Sequence, residues 1–147
     1  MKSPSFLIIP LLQGFYWFDE GLQSYLRARG WSEITRAQSM IIANVVMGVV
    51  RPSDIARTLG VSRQAIHITL KELVDAGILD LTDDPDDGRV KIVRFTKDGE
   101  RRRQDARKAV AKLTAELARR IGKDNVKSLK EAFAHDWGAP VRDPKDL

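Results

Sequence analysis

The stretch SDIARTLGVSRQAIHITLKELVDAGIL, Ser53–Leu79, decides how this chain folds. It is punctuated by Gly60 and Gly77, and glycine takes the left-handed turn at a helix end at little cost. Between these stops the spacing predicts a short helix, Asp54–Leu59, and a longer one, Arg63–Ala76, with Ser53 and Ser62 placed as N-caps. Ile55, Leu59, Val61, Ile66 and Leu70 recur where an apolar wedge would fix the angle between the two helices. Ala56 is small where the helices must cross closely. Downstream, Ile78–Thr82 and Val90–Phe95 read as strands joined by the turn Asp83–Arg89. The order helix, turn, helix, hairpin is a device for entering the grooves of duplex DNA.

With Ile66, Leu70 and Leu73 turned inward, the longer helix leaves Arg63, Gln64, His67, Ile68 and Lys71 facing outward. Arg63 and Gln64 suit paired hydrogen bonds to guanine or adenine edges, and Ile68 suits a thymine methyl. Ser53 and Ser62, at helix N-termini, suit backbone phosphates. In the turn, Asp83, Asp84, Asp86 and Asp87 accompany Arg89, with Lys91 just beyond. An acidic loop by itself repels phosphate. The reading that reconciles these charges has Asp87 orienting Arg89 for the narrow minor groove. In the second strand, Val90, Ile92 and Arg94 alternate with Lys91, Val93 and Phe95, so either face suits the core.

Outward from this centre the pattern is helical. A first helix is expected from between Leu11 and Gly14 to near Arg29, with Phe15, Phe18, Leu22, Tyr25 and Leu26 on one face. Tyr16 and Trp17 fall off that face, which gives the helix more apolar surface than one core stripe needs. Thr35 caps a second helix running through Met47; Met40, Ile41, Val45 and Val46 make it read as wholly buried. Thr96 caps a long charged helix, Lys97 to about Ile121, striped by Val110, Leu113, Leu117 and Ile121. Gly122 breaks it, and a last helix runs from about Asn125 to His135 before a loose tail, 138–147.

Length and composition agree with one globular domain, 1–147, mainly α with a small β-hairpin wing. The formal charge is +5, but residues 51–104 hold 11 Lys/Arg against 10 Asp/Glu, so DNA binding there depends on where charges sit. There is no cysteine, which removes disulfides, thiolate metal sites and thiol catalysis. His67 and His135 alone do not suggest a metal centre, and no Gly-rich phosphate loop or base–nucleophile pair is present, so neither an enzyme nor a cofactor is expected. Phe6–Phe18 is interrupted by Pro10, Gln13 and Gly14 and is too short to span a bilayer. Lys2 before an apolar run hints at a signal peptide, yet Asp19-Glu20 stand where a cleavage site should follow. A cytoplasmic protein with no membrane partner is expected.

The stretch above, followed by DPDDGR (Asp84–Arg89) and FTKDGE (Phe95–Glu100), resembles the MarR family of bacterial transcriptional regulators. The Asp-x-Arg wing, Asp87-Gly88-Arg89, with Phe95-Thr96-x-x-Gly99 behind it, is the most telling part. The resemblance implies a winged helix-turn-helix core, 35–99, flanked by dimerisation helices, 1–34 and 100–137. It implies a homodimer on palindromic double-stranded DNA, acting as a repressor, and often a small phenolic or other aromatic effector between the dimerisation and DNA-binding parts. Tyr16, Trp17 and Trp31 are the aromatic residues expected near such an effector. Two positions depart from the usual pattern: Ile68 stands where many relatives have Arg, and Asp80 where a basic residue is common.

Overall fold

A computed structural model describes residues 6–147, so the signal-peptide reading built on Lys2 lies outside the described residues. Six helices and one hairpin follow in order: α1 (Ile8–Ala28), α2 (Arg36–Val46), α3 (Pro52–Leu59), α4 (Arg63–Asp75), β1 (Leu79–Asp83), β2 (Lys91–Phe95), α5 (Lys97–Ile121) and α6 (Lys123–Ala134). The fold is mainly helical with a two-stranded antiparallel sheet, as expected. Two compact units divide the chain, one running to Val110 and the other Ala111–Leu147. No helix among the described residues is long and apolar enough to cross a membrane.

The first unit is built on one apolar core. Ile55 and Ala56 of α3 and Ile66, Leu70 and Leu73 of α4 are buried together with Ile41 and Val45 of α2 and Leu79 and Val93 of the hairpin. Gly60 holds a left-handed conformation (φ 66°, ψ 32°) and turns α3 into α4. Val61 differs from expectation. It stands in the turn, its N–H donating to the Ala56 carbonyl at 3.1 Å, and its side chain is 45% exposed rather than wedged between the helices. The hairpin pairs Leu79 with Phe95 and Leu81 with Val93, which settles the inward face as that of Leu79, Val93 and Phe95.

Helix boundaries moved for identifiable reasons. α1 begins at Ile8, ahead of the expected start, with Pro10 in its first turn, where backbone N–H groups have no intrahelical acceptor to lose. α3 begins at Pro52, so Arg51 is the N-cap and Ser53 is not; proline at the first helical position fixed the start. α2 keeps Thr35 as its cap, in a reciprocal capping box with Gln38, but it is not wholly buried. Ile41 and Val45 enter the core while Met40, Val46 and Met47 are exposed. α6 starts at Lys123, directly after Gly122 (φ 98°), and residues 138–147 are exposed, with a 3-10 turn at Pro144–Asp146.

At the end of β2, Thr96 ties the hairpin to α5. Its hydroxyl donates to the Gly77 carbonyl at 2.5 Å and accepts from the Gly99 N–H at 2.9 Å. Gly99 is required by space: a Cβ there would lie 2.0 Å from the Ile78 carbonyl oxygen. The Phe-Thr-x-x-Gly pattern is thus a close contact between a helix start and the residue that leads into β1.

Candidate nucleic-acid interface

α4 offers a free outer face because its inner face is fully used. Ile66, Leu70 and Leu73 are each at most 2% exposed, whereas Arg63, Gln64, His67 and Ile68 all face outward. None of Arg63, Gln64 or His67 makes a side-chain hydrogen bond or ion pair among the described residues. Ser62 caps the helix, its Oγ accepting from the Ala65 N–H at 3.1 Å. Lys71 is outward too, but its ammonium donates to Asp75 at 2.8 Å, and that hydrogen bond raises its pKa. Ser53 is half-buried in the first turn of α3 and caps nothing.

The hairpin turn has a different construction. Asp87 accepts from the Arg89 backbone N–H at 3.1 Å and from its Nε at 3.2 Å, while the Arg89 side chain remains 92% exposed. Lys91 is paired with Asp83 at 2.5 Å; these two oppose each other on the strands, beyond the edge of the apolar core. Asp84 is buried, at 7% exposure, and accepts from Arg51 Nε at 3.1 Å, Arg51 Nη2 at 2.5 Å and the Asp86 N–H at 2.9 Å. The Asp86 backbone bond and then Arg51 hold the Asp84 carboxyl below its ordinary value. Three of the four acids in the turn are therefore committed within the wing or to its base.

Sequence reasoning missed Arg51. Its signal was Pro52, whose preference for the first helical position places Arg51 at the cap, in the extended conformation that a residue before proline adopts (φ −83°, ψ 128°).

The first unit also contains a cavity of about 490 Å³, its apolar wall formed by Phe15, Phe18 and Leu22 of α1 and Ile42 and Val46 of α2. Arg102 lines it while only 4% exposed, donating to the Ser32 carbonyl (2.9 Å) and to Gln23 Oε1 (3.2 Å). It has no carboxylate partner among the described residues, and burial pulls its pKa down. Gln23 in turn donates to Asp19 and Ser39, and Asp19 receives Arg36 Nε at 3.2 Å. Tyr16, Trp17 and Trp31 do not line this cavity. Arg36 stacks on Tyr16 at 4.0 Å, Trp17 meets Phe18 edge to face, and Trp31 Nε1 donates to Asp105 at 2.8 Å.

These elements define a winged helix-turn-helix protein. Residues 32–90 match the model of the MarR family, the family that the helix-turn-helix and wing resemble in sequence. Wild-type MarR from E. coli in its apo form is similar over 91% of this chain and 97% of its own, at 23% identity and TM-score 0.66. The transcriptional regulator Tm0710 from Thermotoga maritima is similar over 90% of this chain and 91% of its own, at 23% identity and TM-score 0.61. A cysteine-to-serine mutant of E. coli MarR complexed with operator DNA is similar over 90% and 97%, at 23% identity and TM-score 0.58. No curated protein matches the chain in sequence. The likeness establishes the fold of MarR-family transcriptional regulators.

Proposed function

We propose that this chain is a transcriptional regulator that binds double-stranded DNA sequence-specifically as a homodimer, with α4 in the major groove and the hairpin at the minor groove. The observation that carries this reading is the uncommitted outer face of α4. Arg63, Gln64 and His67 project from a helix whose other side is locked into the core, and among the described residues their side chains make no hydrogen bond or ion pair. Arg63 and Gln64 read base edges, Ile68 a thymine methyl, Ser62 a phosphate, and His67, Lys71 and Lys91 add to the same surface. Ser53, without a cap bond of its own, keeps its hydroxyl for a phosphate. Asp87 orients Arg89.

The homodimer is supported by apolar side chains that each unit leaves in water. In the first, Phe6, Leu7, Ile8 and Ile9 are half or more exposed; in the second, Phe133 and Trp137 are. Repression relieved by a small aromatic effector is part of the same proposal, supported by the cavity with its buried guanidinium. Its effector contacts would come from the lining side chains rather than from Tyr16, Trp17 and Trp31, which lie outside the lining. A second reading, architectural DNA binding or protein–protein contact by the winged helix, would draw on the acidic wing and the near-neutral charge of residues 51–104. It loses force because Asp83, Asp84 and Asp87 have cationic partners within the protein.

The test is capture of fragmented host genomic DNA by the purified protein at about physiological salt, with sequencing of what is retained. Enrichment of a few fragments sharing an inverted repeat is the expected outcome. Uniform retention would replace the proposal with architectural binding, and no retention, with the protein monomeric in sedimentation, would sink it.

A further inference from the structure

We propose that Arg51 and Asp84 form a brace that sets the angle of the wing, making both of them positioning residues for Arg89. The inference rests on the proposed role of Arg89 at DNA and goes beyond it, because neither brace residue is a DNA contact in that reading. A two-stranded hairpin has little stability of its own and takes its direction from what it packs on. Here the strand residues Leu79 and Val93 are anchored in the core, but the turn from Asp83 to Lys91 extends past the core's edge. Among the described residues, hydrogen bonds link the hairpin to the base of α3 at two places. The Val93 N–H donates to the Val50 carbonyl at 2.8 Å, and Arg51 grips Asp84 with two nitrogens.

The grip is well placed to transmit orientation. Arg51 is fixed by the α3 start: it is the N-cap, with Pro52 behind it. Asp84 is the node of the turn. Its own N–H donates to the Val90 carbonyl at 2.8 Å, its carbonyl accepts from the Asp87 N–H at 3.2 Å, and its carboxylate accepts from the Asp86 N–H. Asp87 then holds Arg89 through both backbone and guanidinium. A continuous line of bonds thus runs from the start of α3 through Asp84 and Asp87 to a guanidinium in open solvent. The burial of one carboxylate in an otherwise exposed turn is accounted for by this line. Release of Arg51 removes the side-chain link between the turn and the base of α3, and Arg89 then samples many directions.

A double-substitution cycle on the full-length protein tests this. Duplex affinity is read by anisotropy on a labelled mixed-sequence duplex of roughly 24 base pairs, about two helical turns, at low salt. Arg89→Ala is expected to lower affinity about tenfold. Arg51→Gln and Asp84→Asn are expected to lower it to a similar extent, and Arg89→Ala added to either should cost almost nothing more. Additive losses would overturn the brace, since they would mean that Arg51 or Asp84 acts on DNA or on stability independently of Arg89. Arg51→Lys, which keeps the charge without the two-nitrogen fork, should recover part of the loss.

A second readout needs no DNA. Backbone relaxation at Asp86, Asp87, Arg89 and Val90 should show increased mobility in Arg51→Gln while Ile66–Leu73 stays unchanged. Unaltered wing mobility would sink the proposal even if affinity falls. If Arg89→Ala leaves affinity intact, the DNA role of the wing fails instead, and the relaxation data still decide whether the brace holds the hairpin. Arg51 is 43% exposed, so its substitution remains informative should Asp84→Asn fail to fold.

Discussion

α4 and the wing each present a side chain to the proposed DNA surface, but they are held in place by different forces. α4 is fixed by apolar burial: Ile66, Leu70 and Leu73 dock against Ile41, Ile55 and Leu79, and each buried side chain contributes on the order of 1.5–3 kcal/mol. The wing beyond Lys91 and Asp83 has no such packing and is fixed by ion pairs and turn hydrogen bonds. Hydrophobic packing is insensitive to pH and to moderate salt, whereas a charge-built turn responds to both. One interface therefore contains a rigid reader and a tunable one.

The largest expected effect strikes the rigid half. Ile55→Ala or Leu73→Ala removes a side chain with no solvent exposure and should destabilise the protein by about 2–5 kcal/mol, read as a fall in the denaturant midpoint. A smaller loss would show that the helix-turn-helix core can collapse around a cavity, and that α4 is less fixed than its burial suggests. Next comes the reading face itself. Arg63→Ala should cost about 1–3 kcal/mol of binding to a retained genomic fragment while leaving the midpoint unchanged. Equal losses on the fragment and on a mixed-sequence duplex would make Arg63 a phosphate contact instead of a base contact.

The tunable half is broken by acid. Asp84 has a folded pKa below its ordinary value of about 3.9, so the brace is fully formed above that value and is lost as pH falls through the depressed one. Arg51 is the cation that faces it from α3, with Asp54 and Asp87 also acting on Arg51. As pH falls below the ordinary carboxylate range, NMR signals of the wing turn should change before those of α4, and Asp84→Asn should remove that early step. Simultaneous change in both regions would mean that the wing has no separate electrostatic support.

The contrast between packing and polar bonding also explains what could be read from the sequence. The helix-turn-helix was legible because Ile55, Ile66, Leu70 and Leu73 recur at helical spacing, and Gly60 marks the turn. The wing strands were legible, but their inward face was not, since both faces carry apolar residues; the burial of Leu79 and Val93 decided it. Ser53 was misplaced because two start signals competed, and Pro52 prevailed. The brace joins residues 33 apart in sequence, a separation at which no local pattern exists. The same holds for the cavity, whose walls come from α1, α2 and α5; the aromatic residues expected there found other partners, Trp31 with Asp105 and Tyr16 with Arg36.

The smallest expected effect tests where the rigid reader ends. Lys71 lies in the second half of α4, away from the N-terminal end that enters a groove, and its ammonium is held by Asp75 one turn on. Both side chains are exposed, so the pair adds little to stability. It does place a carboxylate beside a cation that would otherwise be free for a phosphate. Asp75→Asn should therefore raise duplex affinity by about two- to threefold at low salt, with the gain fading as salt screens it. No gain would place Lys71 outside the DNA path and confine reading to the first two turns of α4. A loss of affinity would show instead that Asp75 orients Lys71 as Asp87 orients Arg89, and the distinction between the two halves of the interface would narrow to the core beneath them.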